Sequence, residues 1–149
     1  MGKVLLVLVV VVFIYSYIRF KQHYRMSLLF VSYMEEKSNI LNNDVDTLLS
    51  LCSAYTDAQL YKKAYDKYNE ILSSPSLMCS VSQEKIEKIN NNIQFCNAPM
   101  FGNTGAKDHS SFRYLHNFFL KRFGKRRYVF IREEDALEFN ALLRNQRFN

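Results

Sequence analysis

Glycine and proline are scarce, at four and two residues in a chain of 149, which excludes collagen-like and Pro/Gly-rich disordered classes. Cysteine is held to Cys52, Cys79 and Cys96, an odd number at wide spacings. A disulfide framework for the whole chain is thereby excluded, and unpaired thiols agree with a reducing compartment. Acidic residues are missing from the first 33 positions, which carry Lys3, Arg19, Lys21 and Arg25. Residues 34–106 hold six Lys against nine Asp or Glu, and residues 107–149 hold ten basic against five acidic residues. An acidic middle between two basic ends calls for a separate reading of each stretch.

What the first stretch has in abundance is hydrocarbon. Val4 to Ile18 reads VLLVLVVVVFIYSYI, with Ser16 its only small polar residue. Fifteen helical residues rise roughly 22 Å, short of a hydrocarbon core of roughly 30 Å. Lys3 at one end and Arg19 and Lys21 at the other close the gap by snorkelling. Tyr15 and Tyr17 fall where an interfacial aromatic belt belongs. The β-branched run Val9–Val12 favours a strand in water, but in lipid only a helix satisfies an isolated backbone. A retained transmembrane anchor over residues 1–19 is the expectation. A cleaved secretory leader is the competing reading; its charged start fits, but bulky Phe13, Ile14, Tyr15 and Tyr17 leave only Ser16 as a small residue before a cut. Three cations within seven residues (Arg19, Lys21, Arg25) follow the span, which favours a cytoplasmic C-terminal portion.

Beyond the anchor, Phe20, Tyr24, Leu28 and Val31 continue at helical spacing, and Asn39, Asn42 and Asn43 mark a break. The stretch 26–34, MSLLFVSYM, is too short for a second span and is expected to be buried against protein. Asp46 or Thr47 is positioned to cap the next helix, with Leu48, Leu51, Cys52 and Tyr55 on one face. After a turn near 56–58, Leu60, Ala64, Tyr68 and Ile71 form a second stripe, and Pro75 stops it. Two helices joined so closely lie antiparallel and bury their stripes together.

This pattern over residues 46–75 resembles a tetratricopeptide repeat, with Leu48, Leu51, Cys52 and Tyr55 at the first-helix signature positions and Ala64, Tyr68 and Pro75 at those of the second. Leu48 stands where the family usually has Trp, and Pro75 comes one position early. Ile86, Ile89 and Ile93 repeat the first-helix pattern within a helix over 82–96, capped after Ser80 or Ser82 with Gln83 available for a capping box. The array then stops, because Gly102 falls where the next small helical residue is needed. The resemblance implies that Leu49, Ser53 and Thr56 line an inner surface used for protein partners. It also implies that the helices over 20–41 and 82–96 cover the open faces of a single repeat.

Residues 98–111 read as a loop by composition, residues 112–123 as an amphipathic helix ended by Gly124, and residues 128–131 as a short strand or an isolated extended piece. Glu133 or Asp135 opens a last helix with Leu137, Phe139, Leu142 and Leu143. The fold class expected is therefore mainly α: anchor 1–19, tetratricopeptide-like module 20–97, loop 98–111 and basic helical segment 112–149.

No arrangement of residues points to catalysis, a metal or a cofactor. Gly102 to Lys107 lacks the Gly-Lys-Ser/Thr run of a phosphate loop, Asp108, His109 and Ser110 are contiguous and so unable to face one another as a triad, and His109 and His116 share no zinc-like spacing. Five cations in seven residues (Lys121, Arg122, Lys125, Arg126, Arg127) form a polyanion-binding candidate beside Phe123 and Tyr128. For a tethered chain the nearest polyanion is the anionic leaflet. The sequence thus points to a membrane-anchored adaptor for a protein partner. The alternatives are a tethered nucleic-acid-binding module and a secreted or periplasmic helical protein.

Overall fold

Between Gly2 and Ile40 the sequence contains neither proline nor internal glycine, and one uninterrupted helix, α1, covers Gly2–Ile40. It is the one helix among the described residues long and apolar enough to cross a membrane, by length and composition. In this computed structural model the described residues are 2–41, 44–97 and 127–147. The helix expected over 112–123, the loop over 98–111 and the cations Lys121, Arg122, Lys125 and Arg126 lie outside them.

The chain divides into two compact units, the first containing Met1–Met26, the second Ser27–Gly105 with Arg126–Asn149. In the first unit every large apolar side chain from Leu6 to Tyr15 is exposed, and none of the apolar window is buried. Phe20 stacks on Tyr24 at 6.2 Å, and the Lys21 ammonium lies 5.3 Å from the Tyr17 ring.

The second unit begins with the last turns of α1. Val31 and Met34 are buried, whereas Leu28 and Leu29 are exposed, so the stretch 26–34 is only half covered by protein. After the break, α2 covers Val45–Asp57, starting two residues earlier than an Asp46 cap requires and three earlier than a Thr47 cap does. The cap is Asp44, whose carboxylate accepts from the Thr47 N–H at 3.2 Å and from the Thr47 hydroxyl. Asp46 sits in the first turn and pairs with Lys85 at 2.7 Å. Leu48, Leu51, Cys52 and Tyr55 are all buried, as their spacing predicts.

Three residues, 58–60, reverse the chain into α3, Tyr61–Ser73. Gln59 makes the reversal at φ 59°, the left-handed conformation that side chains other than glycine adopt at a cost. Ala64, Tyr68 and Ile71 of α3 are fully buried against α2 and α5, each large side chain contributing roughly 2 kcal/mol by its burial. Pro75 ends α3 and also occupies the first position of the short α4, Pro75–Met78.

Helix α5, Gln83–Cys96, is capped by Ser82, whose hydroxyl accepts from the Lys85 N–H at 3.3 Å. Ser80 instead donates back to the Leu77 carbonyl, so no capping box forms through Gln83. Ile89 is fully buried, and Phe95 meets Tyr61 edge to face.

Residues 127–132 are extended but pair with no strand, and no strand occurs among the described residues. Helix α6, Glu133–Arg147, follows. Its expected apolar face is engaged only in part: Phe139 makes contact beside Asp135 and Glu138, whereas Leu137 and Leu142 are exposed. Phe139 packs on Phe30 and Tyr33, and Asp135 is sealed among cations, so polar pairing fixes the rotation of α6.

Candidate functional site: a seat for an extended segment

Helix α2 carries Thr47, Ser50 and Ser53 three residues apart. At 100° per residue each step drifts 60°, so these three hydroxyls span one broad face centred on Ser50. All three are buried: Thr47 and Ser50 completely, Ser53 at 1% exposure. Buried hydroxyls need partners: the main chain of residues 130–132 supplies those of Ser50 and Ser53, and the side chains of Asp44 and Arg132 supply those of Thr47.

The Ser53 Oγ accepts from the Phe130 N–H at 2.9 Å. The Ser50 Oγ donates to the Phe130 carbonyl at 3.0 Å and accepts from the Arg132 N–H at 3.3 Å. Asn92 of α5 donates through Nδ2 to the Tyr128 carbonyl and accepts the Tyr128 N–H at Oδ1, both at 2.8 Å. The polar groups of residues 128, 130 and 132 therefore face the seat in the period-two rhythm of an extended chain. Asn92 is held by its third bond, from Nδ2 to the Tyr68 hydroxyl at 2.9 Å. The Tyr68 ring, at the floor of the seat, meets Phe130 edge to face at 6.5 Å. Burial pushes the Tyr68 phenol well above its usual range and keeps it neutral.

Acids mark both ends of the seat. Asp57, at the end of α2, pairs with Arg127. At the other end the Arg132 guanidinium grips Asp135 through Nε at 3.0 Å and Nη2 at 3.1 Å, and reaches Asp44 at 3.1 Å and Thr47 Oγ1 at 2.8 Å. Lys37 of α1 approaches Asp135 at 2.9 Å. Burial alone pulls the Asp135 carboxyl up, but hydrogen bonds from Arg132 and Lys37 outweigh it and hold it below the ordinary range. The Thr47 hydroxyl and the charge of Arg132 lower Asp44 in the same sense.

Of the residues expected to line a partner surface, Ser53 lies in the seat. Leu49 is 1% exposed in the core of α2, and Thr56 donates to the Cys52 carbonyl at 2.8 Å and lies 4.0 Å from Cys96 Sγ. Three further residues of spacing have carried Thr56 off the hydroxyl face. Sequence reading gives Thr47 only as a candidate cap and passes over Ser50 and Asn92; the Thr47-Ser50-Ser53 spacing is a usable signal, whereas Asn92 carries none. Of the cations expected to meet a polyanion, the described one, Arg127, is engaged by Asp57. Among the described residues no group of three His, Cys, Asp or Glu is placed to hold a metal. The three cysteines are free, Cys52 and Cys96 buried and Cys79 exposed.

Comparison with family models, with curated proteins and with solved structures finds no match to this chain.

Proposed function

We propose that the chain is a membrane-anchored protein–protein interaction module that performs no catalysis. The N-terminal part of α1 is the anchor, and the hairpin of α2 and α3, flanked by α5, is the recognition element, a tetratricopeptide-like unit with its C-terminal side in the cytoplasm. The observation that carries this reading is the seat itself. The Ser50 and Ser53 hydroxyls of α2 and the Asn92 carboxamide of α5 bind the main chain of an extended segment, the mode in which proteins read one another's peptides. The uninterrupted exposure of the apolar side chains from Leu6 to Tyr15 supports the anchor, since a soluble helix hides its apolar residues.

Two measurements on the expressed full chain test it. Alkaline carbonate extraction with intact mass is expected to give a membrane pellet whose protein retains Met1–Ile18. A shortened protein free in the supernatant contradicts the anchor and favours the cleaved leader. Crosslinking in cells followed by nuclease is expected to leave the crosslinked species unchanged; their collapse on nuclease treatment contradicts a protein partner and favours a nucleic acid.

A further inference from the structure

In an extended chain the N–H and C=O of one residue point to one side, and those of the next residue to the other. Tyr128 and Phe130 turn both groups to the seat, and Arg132 its N–H, where Asn92, Ser53 and Ser50 engage them. The N–H and C=O of Val129 and Ile131 therefore point away from the seat. None of these four groups makes a hydrogen bond among the described residues. Val129 is 58% exposed and Tyr128 42%, with Ile131 half-buried, so this side of the segment is open to solvent.

Val129 and Ile131 lie about 7 Å apart along the chain and present donor, acceptor, donor, acceptor at the spacing of a sheet edge. Such an edge templates pairing, and folded proteins ordinarily blunt it with lysine, proline or a bulge. Tyr128-Val-Phe-Ile131 has no charge, proline or glycine, and consists of residues that favour strands. The seat holds this edge in extended form from behind, so an incoming strand meets main-chain groups already ordered.

A side chain or a small ion can meet one or two of the four groups, whereas another extended main chain meets all of them. Charge narrows the occupant further. Glu133 and Glu134 directly follow the edge, are exposed, and form no ion pair among the described residues. A second copy's segment has no free cation to set beside them, because its Arg127 is held by Asp57 and its Arg132 by Asp135 and Asp44. A different protein bringing its own lysine or arginine does.

Resting on the interaction-module reading, we propose that the outward edge of residues 129–131 takes an extended segment of a different protein as an added strand. That segment carries β-branched or aromatic residues over Val129 and Tyr128, and a cation beside Glu133 and Glu134. The seat and the partner then use opposite main-chain groups of one segment, and neither displaces the other.

The test uses the full chain in lipid nanodiscs and a displayed library of random heptapeptides. Selection is expected to enrich peptides that alternate β-branched or aromatic residues and end in Lys or Arg. Bound peptide is expected to slow amide exchange at Val129 and Ile131 and to leave Tyr128, Phe130 and Arg132 unchanged. Val129→Pro removes the outward N–H, keeps every group that faces the seat, and is expected to bind these peptides roughly tenfold more weakly. A control independent of that variant's folding is the peptide itself. N-methylation of its alternate residues is expected to abolish binding in one phase and to spare it in the other. Glu133→Gln with Glu134→Gln is expected to relax the demand for a terminal cation. Failure to enrich extended peptides, equal binding to Val129→Pro, or indifference to the phase of N-methylation overturns the proposal. Protection of residues 129 and 131 that rises with the concentration of the chain alone puts a second copy on the edge, and overturns it too. The interaction-module reading stands through each of these results and fails separately, by the nuclease test.

Discussion

Asn92 and the peptide of Tyr128 close a two-bond ring, carboxamide nitrogen to carbonyl and amide N–H to carboxamide oxygen, both at 2.8 Å. The side chain does for residue 128 what a neighbouring strand does in a sheet, so an isolated extended segment needs no ladder. Because Tyr68 fixes the carboxamide from behind, Asn92 cannot turn away without leaving a buried polar group unpaired.

Replacing Asn92 with Ala therefore removes three hydrogen bonds, two to the Tyr128 peptide and one to the buried Tyr68 hydroxyl. A loss of about 3 kcal/mol of unfolding free energy is expected in urea titrations followed by far-UV circular dichroism. Asn92→Asp keeps the shape but sets an acceptor against the Tyr128 carbonyl, and is expected to release the segment at least as completely. A loss under about 0.5 kcal/mol for both variants, the range of an ordinary surface change, means that Asn92 does not hold the segment.

Gln59 reverses the chain at φ 59°, and its Oε1 is buried with no hydrogen-bond partner among the described residues. Gln59→Gly relieves both, and is expected to stabilise the chain by about 1 kcal/mol, a rise in Tm of about 3 °C. A fall in Tm shows that the Gln59 side chain contributes packing that outweighs its backbone conformation.

Asp135 and Asp44 both titrate below their ordinary values, and Arg132 is raised, first by its hydrogen bonds to Asp135. Depressed carboxyl groups contribute stability that is present above the unfolded value, near 3.8, and lost as pH falls through the folded value. The urea midpoint is therefore expected to fall steeply below about pH 4. Asp135→Asn is expected to lower the unfolding free energy at neutral pH by about 3 kcal/mol, for leaving Arg132 and Lys37 without their buried partner, and to flatten the acid limb. Parallel acid limbs in the two proteins contradict this assignment.

Burial pushes the Cys96 thiol up to about 11 and the Cys52 thiol well above its usual range. In the folded chain at pH 8 only the exposed Cys79 is expected to react quickly with a maleimide, one equivalent per chain, with three after denaturation. Fast reaction of a second thiol in the folded state indicates that the contact of α2 with α5 opens.

The helical hairpin was legible because its signals are local. Leu48 to Tyr55 and Ala64 to Ile71 repeat at the helical period, and Pro75 punctuates the end, so no distant residue was needed to find them. The cap was misplaced for an equally local reason: Asp44 and Asp46 compete, and only the pairing of Asp46 with Lys85 assigns it elsewhere. The face of α6 was legible at Phe139 but not at Leu137 and Leu142, because the helix is oriented by a buried carboxylate whose partners are Lys37 and Arg132. The seat was the least visible feature. Ser53 was marked as lining an inner surface, but its partner is an N–H 77 residues away, and main-chain groups leave no trace in side-chain patterns.

The most direct measurement of the seat is residue-resolved amide hydrogen exchange on the native full chain across residues 127–132. The account predicts alternation, with the amides of Tyr128, Phe130 and Arg132 protected by Asn92, Ser53 and Ser50 and those of Val129 and Ile131 exchanging fast. Uniformly fast exchange from 127 to 132, or slow exchange at 129 and 131 instead, contradicts it.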